Sequence, residues 1–531
     1  MGSMTSIGVA LSGLRAAQAG LSVTGHNVSN SSVSGYTRQQ IIQQDFSYVT
    51  TGSSPTGCLK LKYGLGTNVS QIRQIRNGFY DVVYRQENSY GNYYARKYTA
   101  GDEINNIIGE LQSEYKAQDT IIDIWNSLNE LSKNPAAIET RASFIQSCVS
   151  FLDKMQDINK SLFEYQMNLN EQIKQEVNKI NTIVEQIGVL NEKIQQVEVD
   201  GTNANDMRDE RNRLIDELSG YLDIEVKEVP VAEGRSSRID ILIAGSELLV
   251  NNVQQKIGLQ YCNGEYPFVE PVFTTSEDIL PASSNATKLF PNLDNEDLGT
   301  NSYGTRGSLK ALLVSRGEVI GNYTMQDGRV GNYMIPKLQQ KIDTLVHEVV
   351  TMLNNASTSG MGLDGEQGVP IFIRKSNVAI DDPEDPNQYG TLYTLNNLQI
   401  NPELFEENGY NNLGFSTSTG DIDDNSLIMD VIKKWKEPID SLEGASIDGY
   451  YKKIITDFAV QVQEDREKLE SKIGTIDLAE NKRMSLSAVS LDEELTTMLK
   501  YQHAFNSAAK IVNVLDGMMD KVINGTGRVG I

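Results

Sequence analysis

The sequence predicts an α+β fold of several domains, elongated, with helices at both ends of the chain and β-rich insertions between helical layers. Three observations predict it. Apolar residues recur at spacings of three, four and seven at each end and along inner stretches, which is the helical period. From Ile224 the spacing changes to alternation, the strand period. The chain has 531 residues, more than one core usually serves, which points to roughly two to four domains.

The elements follow in order. Ile7, Leu11, Leu14, Leu21 and Val28 form one narrow apolar seam, with little charge opposite it. A lone helix of this kind is marginal in water and needs partners along the seam. The Asn, Ser and Gly cluster from Asn27 to Gly35 stops the helix near Asn30, and Gly35 supplies a backbone angle closed to other residues. Residues 38–78, rich in Gln, Thr, Gly and Ile, read as an extended hairpin. A helix is expected from Phe79 to about Tyr115, and another over Ile121–Leu131. Pro135 fits the first turn of the next helix. That helix carries a long stripe from Leu162 through Ile173, Ile180 and Ile187 to Val197.

A charged helix over Asp206–Ser219 with one apolar stripe follows the break at Gly201. Ile224, Val226 and Val229, then Ile239, Ile241 and Ile243, alternate as strands. Helix returns at Leu309–Ser315, at Ile335–Asn355 and at Tyr451–Lys472. The last helix carries a second seam of Leu491, Leu495, Met498, Phe505, Val512, Leu515, Met519 and Val522. Asp492, Glu493 and Glu494 at its start complement the helix dipole, and Gly525 and Gly527 mark its end.

These readings give four regions. Residues 1–40 and 485–531 form a terminal helical assembly region in coiled-coil or bundle layers. Residues 41–223, 304–365 and 427–484 form a helical-bundle core that includes the hairpin. Residues 224–303 are a β-rich inserted domain, and 366–426 an irregular or β segment packed on the core or insertion.

Lys and Arg total 47 against 71 Asp and Glu, a net charge of −24 that repels phosphate backbones and anionic membrane surfaces. Neither a nucleic-acid partner nor membrane insertion is expected. Cys58, Cys148 and Cys262 are too few and too scattered for a disulfide framework or a zinc site. Cys148 reads as a small core hydrophobe. The three histidines, His26, His347 and His503, stand on helical stretches without a nucleophile motif. No zinc-protease, hydrolase-elbow, phosphate-loop or calcium-loop pattern occurs. Catalytic, cofactor-binding and metal-binding residues are therefore not expected. No basic segment followed by an apolar run opens the chain as a cleavable signal would.

Several stretches resemble a known family. Ala10-Leu11-Ser12-Gly13-Leu14-Arg15-Ala16-Ala17-Gln18 is similar to the opening of bacterial flagellar axial proteins, as are Asn27 and Asn30 ahead of Gly35-Tyr36-Thr37-Arg38-Gln39. Leu491 to Leu495 and Tyr501 to Lys510 resemble the terminal helix of the same proteins. Leu131 to Pro135 with Arg141, Asp209 to Leu218, and Asn354 to Phe372 narrow the resemblance to the group of hook-associated protein 1. The chain departs from the usual motif by carrying Ser32 and Val33 where the family has Asn and Thr.

The resemblance implies a structural subunit at the junction between hook and filament, acting by polymerisation of its terminal helices. About eleven copies would form a layer, with hook protein and the other junction hook-associated protein as neighbours. The resemblance further implies an extracellular flagellar location and export without a cleavable signal, with an export chaperone on the C-terminal region. The alternatives are another axial protein (hook, rod or flagellin-like), which shares the ends but not Asp209–Leu218, and a soluble coiled-coil adaptor or an enzyme built on the insertion.

Overall fold

The computed structural model describes all residues except 1, 34, 47, 52–60, 110–115, 232–235, 263–265, 277, 291–292, 294–305, 326–329, 376–392, 418–420, 422 and 526–531; side chains are also left out at 2–5, 48–51 and 61–63. Cys58 and Gly527 lie outside the described residues. The fold is α+β: long helices with small antiparallel sheets.

Two compact units emerge, each assembled from separate stretches. The first comprises 1–88, 180–255 and 473–531, and the second 89–179 and 256–472.

The first unit holds α1 (Gly2–Ser29), the paired strands β1 (Gln39–Asp45) and β4 (Thr67–Gln74), and α5 (Asn205–Tyr221). Between β1 and β4, β2 (Tyr48–Thr51) pairs with β3 (Leu61–Gly64). The register of β1 on β4 is antiparallel, from Gln39 opposite Gln74 to Asp45 opposite Thr67, with a bulge at Ile42/Gln43. This is the expected hairpin. Its buried residues are Gln39 and Ile41, spaced by two as a half-buried strand requires. In α5, Arg211, Leu214, Ile215 and Leu218 fall on one face at helical spacing and are buried. The four-stranded sheet β5 (Glu225–Val231), β6 (Ser236–Ile243), β7 (Ser246–Val250) and β8 (Val253–Gln254) adds Ile239, Ile241, Ile243, Leu248 and Leu249 to this core. Part of α9 (Ile447–Ser487) and the terminal helix α10 (Leu491–Gly525) complete the unit.

The second unit is organised around α6 (Ser308–Arg316), of which all nine residues are buried. It includes parts of α2 (Gly78–Ile108), α4 (Ile138–Glu198) and α9, together with α3 (Ala117–Lys133), α7 (Met334–Ser359) and α8 (Ser426–Lys436). A three-stranded sheet of β9 (Ile257–Tyr261), β10 (Val269–Phe273) and β11 (Thr287–Lys288) belongs here, as does the pair β12 (Phe372–Arg374) and β13 (Leu398–Ile400). The β-rich stretch 224–303 thus contributes one sheet to each unit. Gln166 ties the core internally: its amide donates to the Arg316 carbonyl at 2.7 Å and accepts from Gln339 at 3.1 Å.

Two local expectations need correction. The helix expected to reach about Tyr115 stops at Ile108, because Gly109 takes a positive φ of 72° that ends the helical path. Pro135 lies in a turn before α4, whose first residue is Ile138. Arg141 explains that turn. Its guanidinium is buried and donates to the carbonyls of Pro135 at 2.7 Å, Leu413 at 2.8 Å and Tyr410 at 3.1 Å. Burial lowers its pKa to about 10. Cys148 is fully buried in α4, and burial pushes its thiol well up.

Candidate assembly site

The expected site lies in the first unit, where α1 packs on α10, β1 and β4. The sequence placed an apolar seam on α1, but small residues fill its buried face. Ala10, Ala16, Ala17, Gly20, Val23, Thr24 and Asn27 are buried. Ile7, Leu14, Leu21 and Val28 are half-buried, and Leu11 is exposed. The reason is close approach: a Cβ on Gly20 would lie 2.6 Å from the Tyr501 ring. On α10 the face carrying Tyr501 also carries Met498, Phe505, Val512, Leu515 and Met519, all half-buried. Leu491, Leu495 and Val522 stand exposed, outside that face. The structure therefore brings five of the α10 seam residues onto the helix pair and leaves Leu491 and Leu495 facing out.

At one end of the pair a polar clasp joins four parts of the chain. Asn27 is its centre. Its amide donates to the Gln39 carbonyl at 2.9 Å and to the Glu494 carboxylate at 3.0 Å. Its side-chain oxygen accepts from the Gln39 N–H at 3.0 Å and the Tyr36 hydroxyl at 2.8 Å. Arg38 donates to Glu494 at 2.7 Å and to Glu493 at 2.9 Å, while its backbone N–H reaches the Ser487 carbonyl at 2.9 Å. Asn30 bonds back to the His26 carbonyl at 3.0 Å and closes the end of α1. Gly35 has φ +82°, the left-handed conformation that the turn needs and other residues avoid.

The segment at the start of α5 supplies the rest. Asp209 accepts from the Thr37 N–H at 3.1 Å and from the Gln74 amide at 2.7 Å. Asp206 accepts from the Gln39 amide at 3.0 Å. Burial pushes the Asp209 carboxyl up to about 6, against the pull of its bonds to Thr37. Burial, with Asp206, Asp209 and Glu494 around it, drives the Tyr36 hydroxyl far above its ordinary value, so it serves as a neutral donor. His26 Nδ1 lies 3.0 Å from that hydroxyl, and the rings meet edge to face.

Of the residues singled out together in sequence, Asn27, Tyr36 and Arg38 are tied into one hydrogen-bonded knot, Asn30 closes the end of α1 and Gly35 shapes the turn between them. Glu494 was missed as an anchor and read only as a dipole partner. It is the one buried residue among the 35 of α10. Its signal was available: Glu494 shares a helical stripe with Met498, Tyr501 and Phe505, and an acid on an apolar stripe implies a polar partner opposite. The contributions of Asp206, Asp209 and Gln74 carried no such signal, because they depend on strand and helix meeting far along the chain.

This knot holds groups in place through hydrogen bonds and ion pairs. Among the described residues no three His, Cys, Asp or Glu side chains group so as to hold a metal ion. No described helix is long and apolar enough to cross a membrane.

The family model for the helical domain of the flagellar hook-associated protein FlgK matches residues 102–372, more than half of the chain. The chain belongs to the FlgK family. A second model, the C-terminal region of the flagellar basal body rod proteins FlgEFG, matches 480–525, which contains α10. Flagellar hook-associated protein 1 of Bacillus subtilis is 28% identical over 525 residues, covering 97% of this chain and 96% of that protein. Its namesake from Salmonella typhimurium is 27% identical over 220 residues, 41% of this chain and 38% of that protein. The flagellar hook junction protein FlgK from Burkholderia pseudomallei is similar at a TM-score of 0.43 and 16% identity, over 55% of this chain and 46% of that one. The FlgK family is one of structural flagellar proteins, and this chain is an axial component of the flagellum, outside the cell.

Proposed function

We propose that this FlgK-family chain is a structural subunit of the hook–filament junction and acts by polymerisation through its terminal helices. One observation carries the reading. Outside the face turned to α1, α10 exposes two apolar flanks: Leu491, Leu495 and Leu499 toward its start, and Ile511, Val514, Met518 and Val522 toward its end. At 3.6 residues per turn these groups fall on opposite sides of the α1-facing stripe. A helix that leaves so much apolar surface open gains on burial, at about 25 cal/mol per Å². Two flanks fit two different neighbours, as head-to-tail contacts in an open array require.

On this reading about eleven copies form the layer, hook protein lies on one side and the other junction hook-associated protein on the other. Before assembly, the same apolar flanks of the C-terminal region suit an export chaperone, and export proceeds without a cleavable signal. The shared rod-type C-terminal match supports a common packing mode for α10, while the match over 102–372 favours the junction role over hook, rod or filament.

Leu495→Asp or Leu14→Asp is expected to abolish incorporation while both units keep their folded signals by circular dichroism. Motile cells with normal filaments carrying either variant would sink the proposal.

A further inference from the structure

The contacts of α1 with α10 carry an ambiguity that packing alone does not resolve. Glu494 meets Asn27 and Tyr501 meets Gly20, so seven residues forward on α10 match seven residues back on α1. The helices are antiparallel with a seven-residue step. The same step sets Ala508 opposite Gly13. On α1 the facing positions repeat as Gly13, Gly20 and Asn27, beside Ala10, Ala17 and Thr24. On α10 they repeat as Tyr501, Ala508 and Leu515, beside Met498, Phe505, Val512 and Met519.

Sliding α10 by one repeat would place Tyr501 on Gly13 instead of Gly20. Gly13 offers it room, since nothing lies within 4 Å of a Cβ there. The apolar side chains would again meet small residues. The slipped pair carries Leu515, opposite Ser6 in the observed alignment, past the start of α1 at Gly2, and it loses its polar contacts: Glu494 would lie against Gly20, away from Asn27 and Arg38. A buried polar residue is the best-attested device for fixing helix register, because a slip leaves it without partners.

We propose that the Asn27–Arg38–Glu494 clasp is the register determinant of the terminal helix pair, selecting the observed alignment of α10 on α1 over the one slipped by a repeat. The clasp stands at one end of the pair, and its hydrogen bonds also run to the β1 backbone at Gln39, so the alignment is referred to the body of the unit. A slip would move the outer flanks of α10 by about 10 Å along its axis. That last consequence alone rests on the assembly reading; the register itself is a property of the single subunit.

Cysteine cross-linking of the full chain tests this, in a background with the three native cysteines replaced. The pair Gly13→Cys with Ala508→Cys reports the observed alignment, and Ser6→Cys with Ala508→Cys reports the slipped one. With the clasp intact only the first pair should form a disulfide. In Asn27→Leu/Glu494→Leu, which removes both polar partners together, the second pair should rise from background to a yield comparable with the first. Helix content by circular dichroism should not change. Cross-linking confined to the first pair in that variant would show that packing sets the register and would overturn the proposal. Loss of both cross-links would overturn it too, since the clasp would then hold the helices together without choosing between alignments.

Discussion

At the scale of single residues, the account depends on what burial does to groups that water would otherwise satisfy. Asp343 is a clear instance in the second unit. The backbone N–H groups of Tyr323 and Leu395 donate to its carboxylate at 2.9 and 2.6 Å, yet burial pushes its pKa from 3.8 up to about 7. The folded chain then binds this proton more tightly than the unfolded chain. Its contribution to stability is present below the unfolded value and is lost as pH rises through about 7. Asp343→Asn, which does not ionise, is expected to flatten the decline in urea stability over that range. An unchanged slope would remove Asp343 from the explanation. In the clasp, Arg38→Ala leaves the Glu494 carboxylate without its cation. Arg38 is still 24% exposed, so the loss should sit at the lower end for breaking a buried pair, about 3 kcal/mol, read from denaturant unfolding of the first unit. Asn27, Gly35, Tyr36 and Arg38 could be picked from the sequence because they stand in a stretch that resembles the motif of flagellar axial proteins. Their partners Asp206 and Asp209 could not, because nothing local shows which distant acid the chain brings back.

At the scale of elements, periodicity showed where helices run, and on α1 small residues lie deeper than the apolar seam. The seven-residue spacing of Ile7, Leu14, Leu21 and Val28 marked α1 as a helix. Apolar content then suggested that these residues form its buried seam. The structure buries Ala10, Ala17, Gly20 and Thr24 more deeply, since a narrow interhelical distance selects small side chains. Gly20→Leu should therefore disturb the pair by forcing Tyr501 aside, with earlier proteolytic release of α10. Gly13→Ala should leave the digestion pattern unchanged and add up to about 1 kcal/mol of helix propensity. Equal sensitivity at the two glycines would argue against the close approach at Gly20. The end of α2 at Gly109 was equally open to a sequence reader, as glycine is the commonest helix terminator. The turn at Pro135 was not, because it depends on Arg141 reaching carbonyls at 410 and 413.

At the scale of the whole molecule, the two units differ in how fully they satisfy themselves. The second unit encloses α6 on all sides and buries its cations among carbonyls and amides. In the first, α10 buries one residue of 35 and leaves two apolar flanks open. The α+β class and the helical ends were legible because repeated spacing over dozens of residues outweighs local noise. The division of the β-rich stretch between two units was not, since strand alternation says nothing about which core a sheet joins. A chain built this way should complete its burial only among other subunits. Hydrogen exchange compares the two states directly, in the free subunit and in isolated flagella. Amides of α10 should exchange quickly in the free chain and become strongly protected on assembly, while those of α6 and α7 should be protected alike in both. Full protection of α10 in the free subunit, unchanged by assembly, would contradict the account.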